Sequence, residues 1–172
     1  MRRMIAPVLF LVLLAAAGCG GTTTGSPGAE AGAGGAADAE AGVGGAGDTK
    51  PGCPFTAAQV SDIIGQPMTD EGNCLFGDGK GVASLTITVS SKTAGAMTFA
   101  YQRQQAEKVY HRVTDIKKGD KAYVAAKDIE AEAAVVSDKG SYTLILSRFE
   151  RFSTDPAAYE QTLRKLLDAI LA

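Results

Sequence analysis

From Val82 to Ser90 the chain alternates without a break. Ala83, Leu85, Ile87 and Val89 fall on one side, and Ser84, Thr86, Thr88 and Ser90 on the other. A period of two is the mark of a strand buried on one face and wet on the other. At helical spacing the same apolar residues would scatter around the axis and form no stripe. This stretch therefore commits the chain to a sheet with one apolar face, and the remaining segments must supply its neighbours and its cover. The hydroxyl row is read as a solvated surface of high β-propensity, with contact to a polar ligand as the alternative.

Four further stretches read as strand-like. Asn73–Gly77 centres on Cys74, Leu75 and Phe76, and the turn Asp78-Gly79-Lys80-Gly81 joins it to the alternating stretch. After a short extended piece, Val113–Ile116, and a turn at Lys117–Asp120, a strand is expected over Lys121–Ala126. Glu130–Ser137 follows, with Ala131, Ala133 and Val135 opposed to Glu132, Ala134 and Val136. Asp138-Lys139-Gly140 is a hairpin turn. It leads into Ser141–Phe149, where Tyr142, Leu144 and Leu146 oppose Thr143, Ile145 and Ser147. Both faces of that last strand are partly apolar, which places it centrally.

Three helices complete the pattern. Thr56 with Gln59 forms a capping box, Phe55 and Val60 a hydrophobic staple, and Gly65 with Pro67 a stop, giving Thr56–Ile64. Thr93–Tyr110 carries Ala96, Phe99, Ala100, Ala106 and Val109 at helical spacing, widened by Met97, Tyr101 and Tyr110. Asp155 followed by Pro156 opens the last helix, whose Tyr159, Leu163, Leu166, Leu167, Ile170 and Leu171 make a broad apolar stripe. Hairpin-length turns imply antiparallel pairing. The expectation is an α+β domain: an antiparallel sheet of about five strands covered by three helices on one face, in the order α-β-β-α-β-β-β-α. The two halves, each a helix followed by a strand meander, suggest a divergent repeat.

The N-terminus has a different character. Met1-Arg2-Arg3 is a short basic region, and Ile5–Ala17 is apolar, interrupted by Pro7. Ala16-Ala17-Gly18 then precede Cys19. These are the parts of an export signal, and the run is shorter than the ~20 residues a membrane span needs. The small-small-Cys ending resembles a bacterial lipobox, in which the cysteine thiol is diacylated and becomes the new N-terminus. The usual leucine three positions before the cysteine is here Ala16. Residues 1–18 are thus expected as a lipoprotein signal peptide. Cys19 is expected as the lipidated residue, which places the domain on the outer face of the cytoplasmic membrane.

Thirteen of the 21 glycines fall between Gly18 and Gly52. Residues 19–52 have too little apolar side chain to offset the entropy of ordering. They are expected as a tether of about 30 Å root-mean-square span, leaving 53–172 as the globular domain. With Cys19 assigned to lipid, Cys53 and Cys74 remain as one pair. Export places them where disulfides persist, so a Cys53–Cys74 bond is expected.

Beside this reading stands a resemblance. Cys53 at the domain start, a short helix ending at Gly65, Cys74 on the first strand and the segment Gly119-Asp120-Lys121-Ala122-Tyr123 are carried here on a lipobox and a Gly-rich tether. The ensemble resembles a broad group of actinobacterial lipoproteins whose domain has no assigned function. The resemblance implies a secreted, anchored, non-catalytic domain and adds no substrate.

The residues themselves offer little chemistry. His111 is the only histidine, lies in a charged stretch and has no nucleophile motif near it. The domain has 14 Lys and Arg against 15 Asp and Glu, which gives no electrostatic case for nucleic acid. Arg103, Lys108, Arg112, Lys117, Lys118 and Lys121 form a basic region diluted by Glu107, Asp115 and Asp120. It reads as a solvated face, with anionic lipid or cell-wall polymer as the alternative. The spacing of the cysteines argues against zinc, Asp120 reads as a turn residue, and no cofactor motif is present. Two functions are weighed. The first is a binding module for an apolar or amphipathic envelope ligand lined by Phe99, Tyr101, Tyr123, Tyr142 and Phe149. The second is an accessory protein that docks onto a membrane enzyme or transporter.

Overall fold

The computed structural model describes residues 48–172. The signal segment, Cys19 and the tether as far as residue 47 lie outside the described residues. Helix α1 (Ala57–Ile64) starts at the Thr56 capping box, with Gln59 N–H donating to Thr56 Oγ1 and Thr56 N–H to Gln59 Oε1. It ends at Gly65, whose φ of +78° is the left-handed cap that glycine adopts without strain. Phe55 and Val60 are both buried in the core that α1 helps to close.

Strands β1 (Thr69–Asp70), β2 (Leu75–Gly77) and β3 (Ser84–Ser90) follow as a meander. Helix α2 (Lys92–Val109) precedes a second meander of β4 (Arg112–Asp115), β5 (Lys121–Lys127), β6 (Glu130–Ser137) and β7 (Gly140–Ser147). A short 3-10 turn at Glu150–Phe152 leads into α3 (Pro156–Leu171), capped by Asp155. The two meanders meet through their last strands, so the sheet order is β1-β2-β3-β7-β6-β5-β4, antiparallel throughout. β7 is the middle strand, and both of its neighbours pair along nearly its whole length.

The α+β class, the antiparallel pairing and the three helices agree with the sequence. The strand number does not: the sheet has seven strands rather than about five. The two additional strands are the edges. β1 has only two residues, both exposed, and β4 has no buried residue, so neither leaves a periodic apolar trace.

The cover differs as well. α1 and α3 pack on one face, where Tyr159, Leu163, Leu166 and Leu167 meet Leu85, Val124, Ala133, Leu144 and Leu146. α2 lies on the other face, where Phe99, Ala106 and Tyr110 close over Tyr123, Ala125, Ala134 and Val136. Expecting all helices on one face missed a topological need. Three strands separate β3 from the edge strand β4, and α2 is the segment that crosses between them. Gly95 makes the crossing tight, because a Cβ there would lie 2.0 Å from that of Ser141.

Cys53 and Cys74 form the expected disulfide, with Cα atoms 5.5 Å apart. The described residues begin before it, at Asp48. The Asp48 carboxylate accepts from Ser91 Oγ (2.8 Å) and from Thr93 N–H, and Pro51 packs beside Gly140 at the β6–β7 turn.

Candidate functional site

Two depressions and one polar cluster stand out. The first depression, of about 580 Å³, lies beside the disulfide. Lys50 and Pro51 form one wall, Asp70 and Asn73 another, and Thr86 and Thr88 of β3 the floor. The hydroxyl row singled out in the sequence thus faces open space. The turn that shapes this cleft runs through Gly72, Asn73 and Cys74, all with positive φ, the last two at +50° and +61°. Two consecutive non-glycine residues in that region carry backbone strain, and the disulfide and the Ile87 N–H to Cys74 carbonyl bond (3.0 Å) hold them there.

The second depression, of about 550 Å³, is the more apolar. It lies between Ile129 in the β5–β6 turn and the segment Arg148–Thr154, with Phe149 and Tyr159 at its floor. Ile129 is 42% exposed, which is unusual for a side chain of its size and marks the lip. Tyr159 meets Phe149 and Phe152 edge to face, Phe152 with its centroid 4.9 Å away, and Phe149 N–H donates to Tyr159 Oη at 2.9 Å. Arg148 (φ +58°) and Ser153 (φ +49°) are both left-handed without being glycine. Arg148 has no carboxylate partner among the described salt bridges, so its guanidinium is free to meet an anion.

The polar cluster lies beneath the C-terminal end of α2. Tyr110 Oη donates to Glu130 Oε1 (3.0 Å), Ser147 Oγ to Glu130 Oε2 (3.3 Å) and Tyr123 Oη to Glu132. Lys127 Nζ lies 3.4 Å from Glu130 and 5.1 Å over the Tyr110 ring. Burial pushes the Glu132 carboxyl above its ordinary range, against the lowering effect of the Tyr123 hydrogen bond. Burial likewise raises both phenols, with the neighbouring carboxylates adding to it. The donors and acceptors here satisfy one another, which makes the cluster a polar layer of the smaller core. Sequence reasoning missed it. The available signal was the alternation of β6, which places Glu130 and Glu132 on the same face as Ala134 and Val136.

The five aromatic residues expected to line a ligand do not converge. Phe99 and Tyr123 meet edge to face under α2, centroids 5.5 Å apart. Tyr142 and Phe149 are buried on the opposite face. Tyr101 is 65% exposed on the outer side of α2. Of the five, only Phe149 borders one of these two depressions.

His111 is exposed, with Nε2 3.9 Å from Asp128. Half of the basic region is paired: Arg103 with Asp115 and Glu107, Arg112 with Glu160 (3.0 Å), and Lys118 with Asp168, while Lys108, Lys117 and Lys121 have no ion-pair partner among the described residues. Asp120 pairs with Lys92 (2.8 Å), and its N–H donates to the Val136 carbonyl. The Gly119-Asp120-Lys121-Ala122-Tyr123 segment thereby starts β5, sending Ala122 into one core and Tyr123 into the other. Among the described residues no cluster of acidic, His or Cys side chains is placed to hold a metal ion, and no helix is long and apolar enough to cross a membrane. No protein-family model, curated protein or solved structure matches the chain.

Proposed function

We propose that this chain is an exported, lipid-anchored and non-catalytic module that binds a small amphipathic envelope molecule with an anionic head. The observation that carries the reading is the second depression. It combines an apolar floor, an exposed apolar lip at Ile129 and a rim of Arg148, Glu150, Ser153 and Thr154, in which Arg148 has no carboxylate partner among the described residues. Its volume falls within the range of small-molecule sites, which are mostly apolar with a few placed polar groups. The strained backbone at Arg148 supports the same reading, because strain that survives in a fold concentrates at functional positions. The export signal and the Cys19 lipobox supply the location.

Titration calorimetry of the whole protein with dodecanoate, below its micelle threshold, tests this. One saturable site is expected, weakened at least tenfold by Arg148→Gln and by Ile129→Asp. Absence of saturable binding, or equal binding by both variants, overturns it. The packing of Phe99, Tyr123 and Tyr142, three of the five candidate aromatic residues, into solid core favours a second reading, an accessory protein docked on a membrane enzyme or transporter. Cross-linking in intact cells from a photoreactive residue at position 129 separates the two, since a docked partner gives one reproducible protein adduct.

A further inference from the structure

The two most exposed large apolar side chains among the described residues are Met97 (79%) and Tyr101 (65%), and they stand one turn apart on α2. They belong to a line, Ala94, Met97, Tyr101, Gln104 and Lys108, that recurs at intervals of three and four and points directly away from the buried Gly95, Phe99 and Ala106. The line contains no acidic residue and ends in a cation with no ion-pair partner in the described chain. The one acid of α2, Glu107, lies off the line and pairs with Arg103. No other part of the described domain covers this line.

The chain that comes from the anchor arrives beside it. Asp48 binds Ser91 and Thr93 at the N-terminal end of α2, so the tether joins the domain there. At the helical rise, Met97 lies roughly 6 Å and Tyr101 roughly 12 Å along the axis from that junction. If the 28 residues between Cys19 and Asp48 act as the flexible tether expected from their composition, their root-mean-square span is about 30 Å. A domain held that close meets the bilayer at an effective concentration in the millimolar range, where a weak contact is occupied. Tyr suits the headgroup level and Met adapts to an irregular apolar boundary. Lys108 adds attraction to anionic headgroups.

We infer that the outer line of α2 rests on an anionic phospholipid surface and orients the domain on the membrane. This rests on the lipid-anchor reading of Cys19. The chain contains no tryptophan, so Tyr101→Trp makes a single reporter in the full, acylated protein. A second protein, Lys165→Trp, reports from an exposed position on α3, across the sheet. Both are reconstituted into vesicles of phosphatidylglycerol and phosphatidylcholine with brominated acyl chains. The Trp at position 101 should shift to the blue and be quenched at least twofold, and the Trp at 165 should not. Adding Met97→Asp should abolish the quenching while the protein still sediments with the vesicles. Equal quenching at the two positions in sedimenting protein overturns the orientation and leaves the anchor standing. Failure of the acylated protein to sediment overturns the anchor, and the orientation with it.

Discussion

On the α3 side of the sheet, 24 buried side chains from α1, α3, five strands and their connecting segments form one continuous core. On the α2 side the corresponding cluster has seven, two of which, Tyr110 and Tyr123, hydrogen-bond to Glu130 and Glu132. Beyond α2, the same face ends in the hydroxyls of β3, bare over Thr86 and Thr88. One sheet thus carries a dry face and a mixed face. The dry face holds the fold, because buried apolar area is the main favourable term in folding. The mixed face is the one with partly buried carboxylates, hydrogen-bonded phenols and exposed hydroxyls.

The comparison can be broken most directly at α3. Leu163→Ala removes a fully buried side chain from the dry face and should cost about 3–5 kcal/mol in urea denaturation. A loss of under about 1 kcal/mol would mean that the dry face is not the principal core. A matched pair sharpens the point. Val124 and Val136 are both buried, but Val124 faces α3 and Val136 faces α2. Val124→Ala should cost about 1 kcal/mol more than Val136→Ala, because the cavity term grows where neighbours are dense on every side.

A smaller effect of opposite sign is expected at the rim of the dry face. Arg148→Gly removes a side chain from a left-handed position and should stabilise by about 0.5–1 kcal/mol. The same change should weaken dodecanoate binding, so a gain in stability with unchanged binding would detach the strain from function. The smallest effect belongs to the mixed face. Since the folded state raises the Glu132 pKa, it holds the proton more tightly than the unfolded chain does. Stability should therefore rise as pH falls through the raised pKa towards the ordinary value of 4.5. In urea midpoints taken from about pH 7.5 to about pH 5, Glu132→Gln should remove this gain. A wild type whose pH slope matches the variant would show that Glu132 is not buried in its charged form.

Much of this was legible in the chain. The capping box at Thr56, the stop at Gly65, the alternation of β3, β6 and β7 and the stripe of α3 depend on residues within a turn or a pleat of one another. The disulfide followed from counting cysteines after Cys19 was set aside. Edge β1 was not legible as a strand and β4 was legible only as the short extended piece Val113–Ile116, because what defines them is a hydrogen-bonded partner rather than an inward apolar face of their own. The expected ligand residues failed to meet for a related reason. Helical spacing shows that Phe99 turns inward, but not which side of the sheet it turns towards.

By itself the sequence determined the three helices, the inner strands, the antiparallel pairing, the α+β class and the cross-link, because local periodicity and turn chemistry act over a few residues. Only the tertiary structure decided that α2 crosses to the face opposite α3, that Phe149 borders a depression while Tyr142 is sealed in core, and that Glu130 and Glu132 share a layer with two tyrosines. Those outcomes hang on strand order. The order in turn is settled by how all the apolar stripes can be covered at once, a condition that no single stretch of the chain contains.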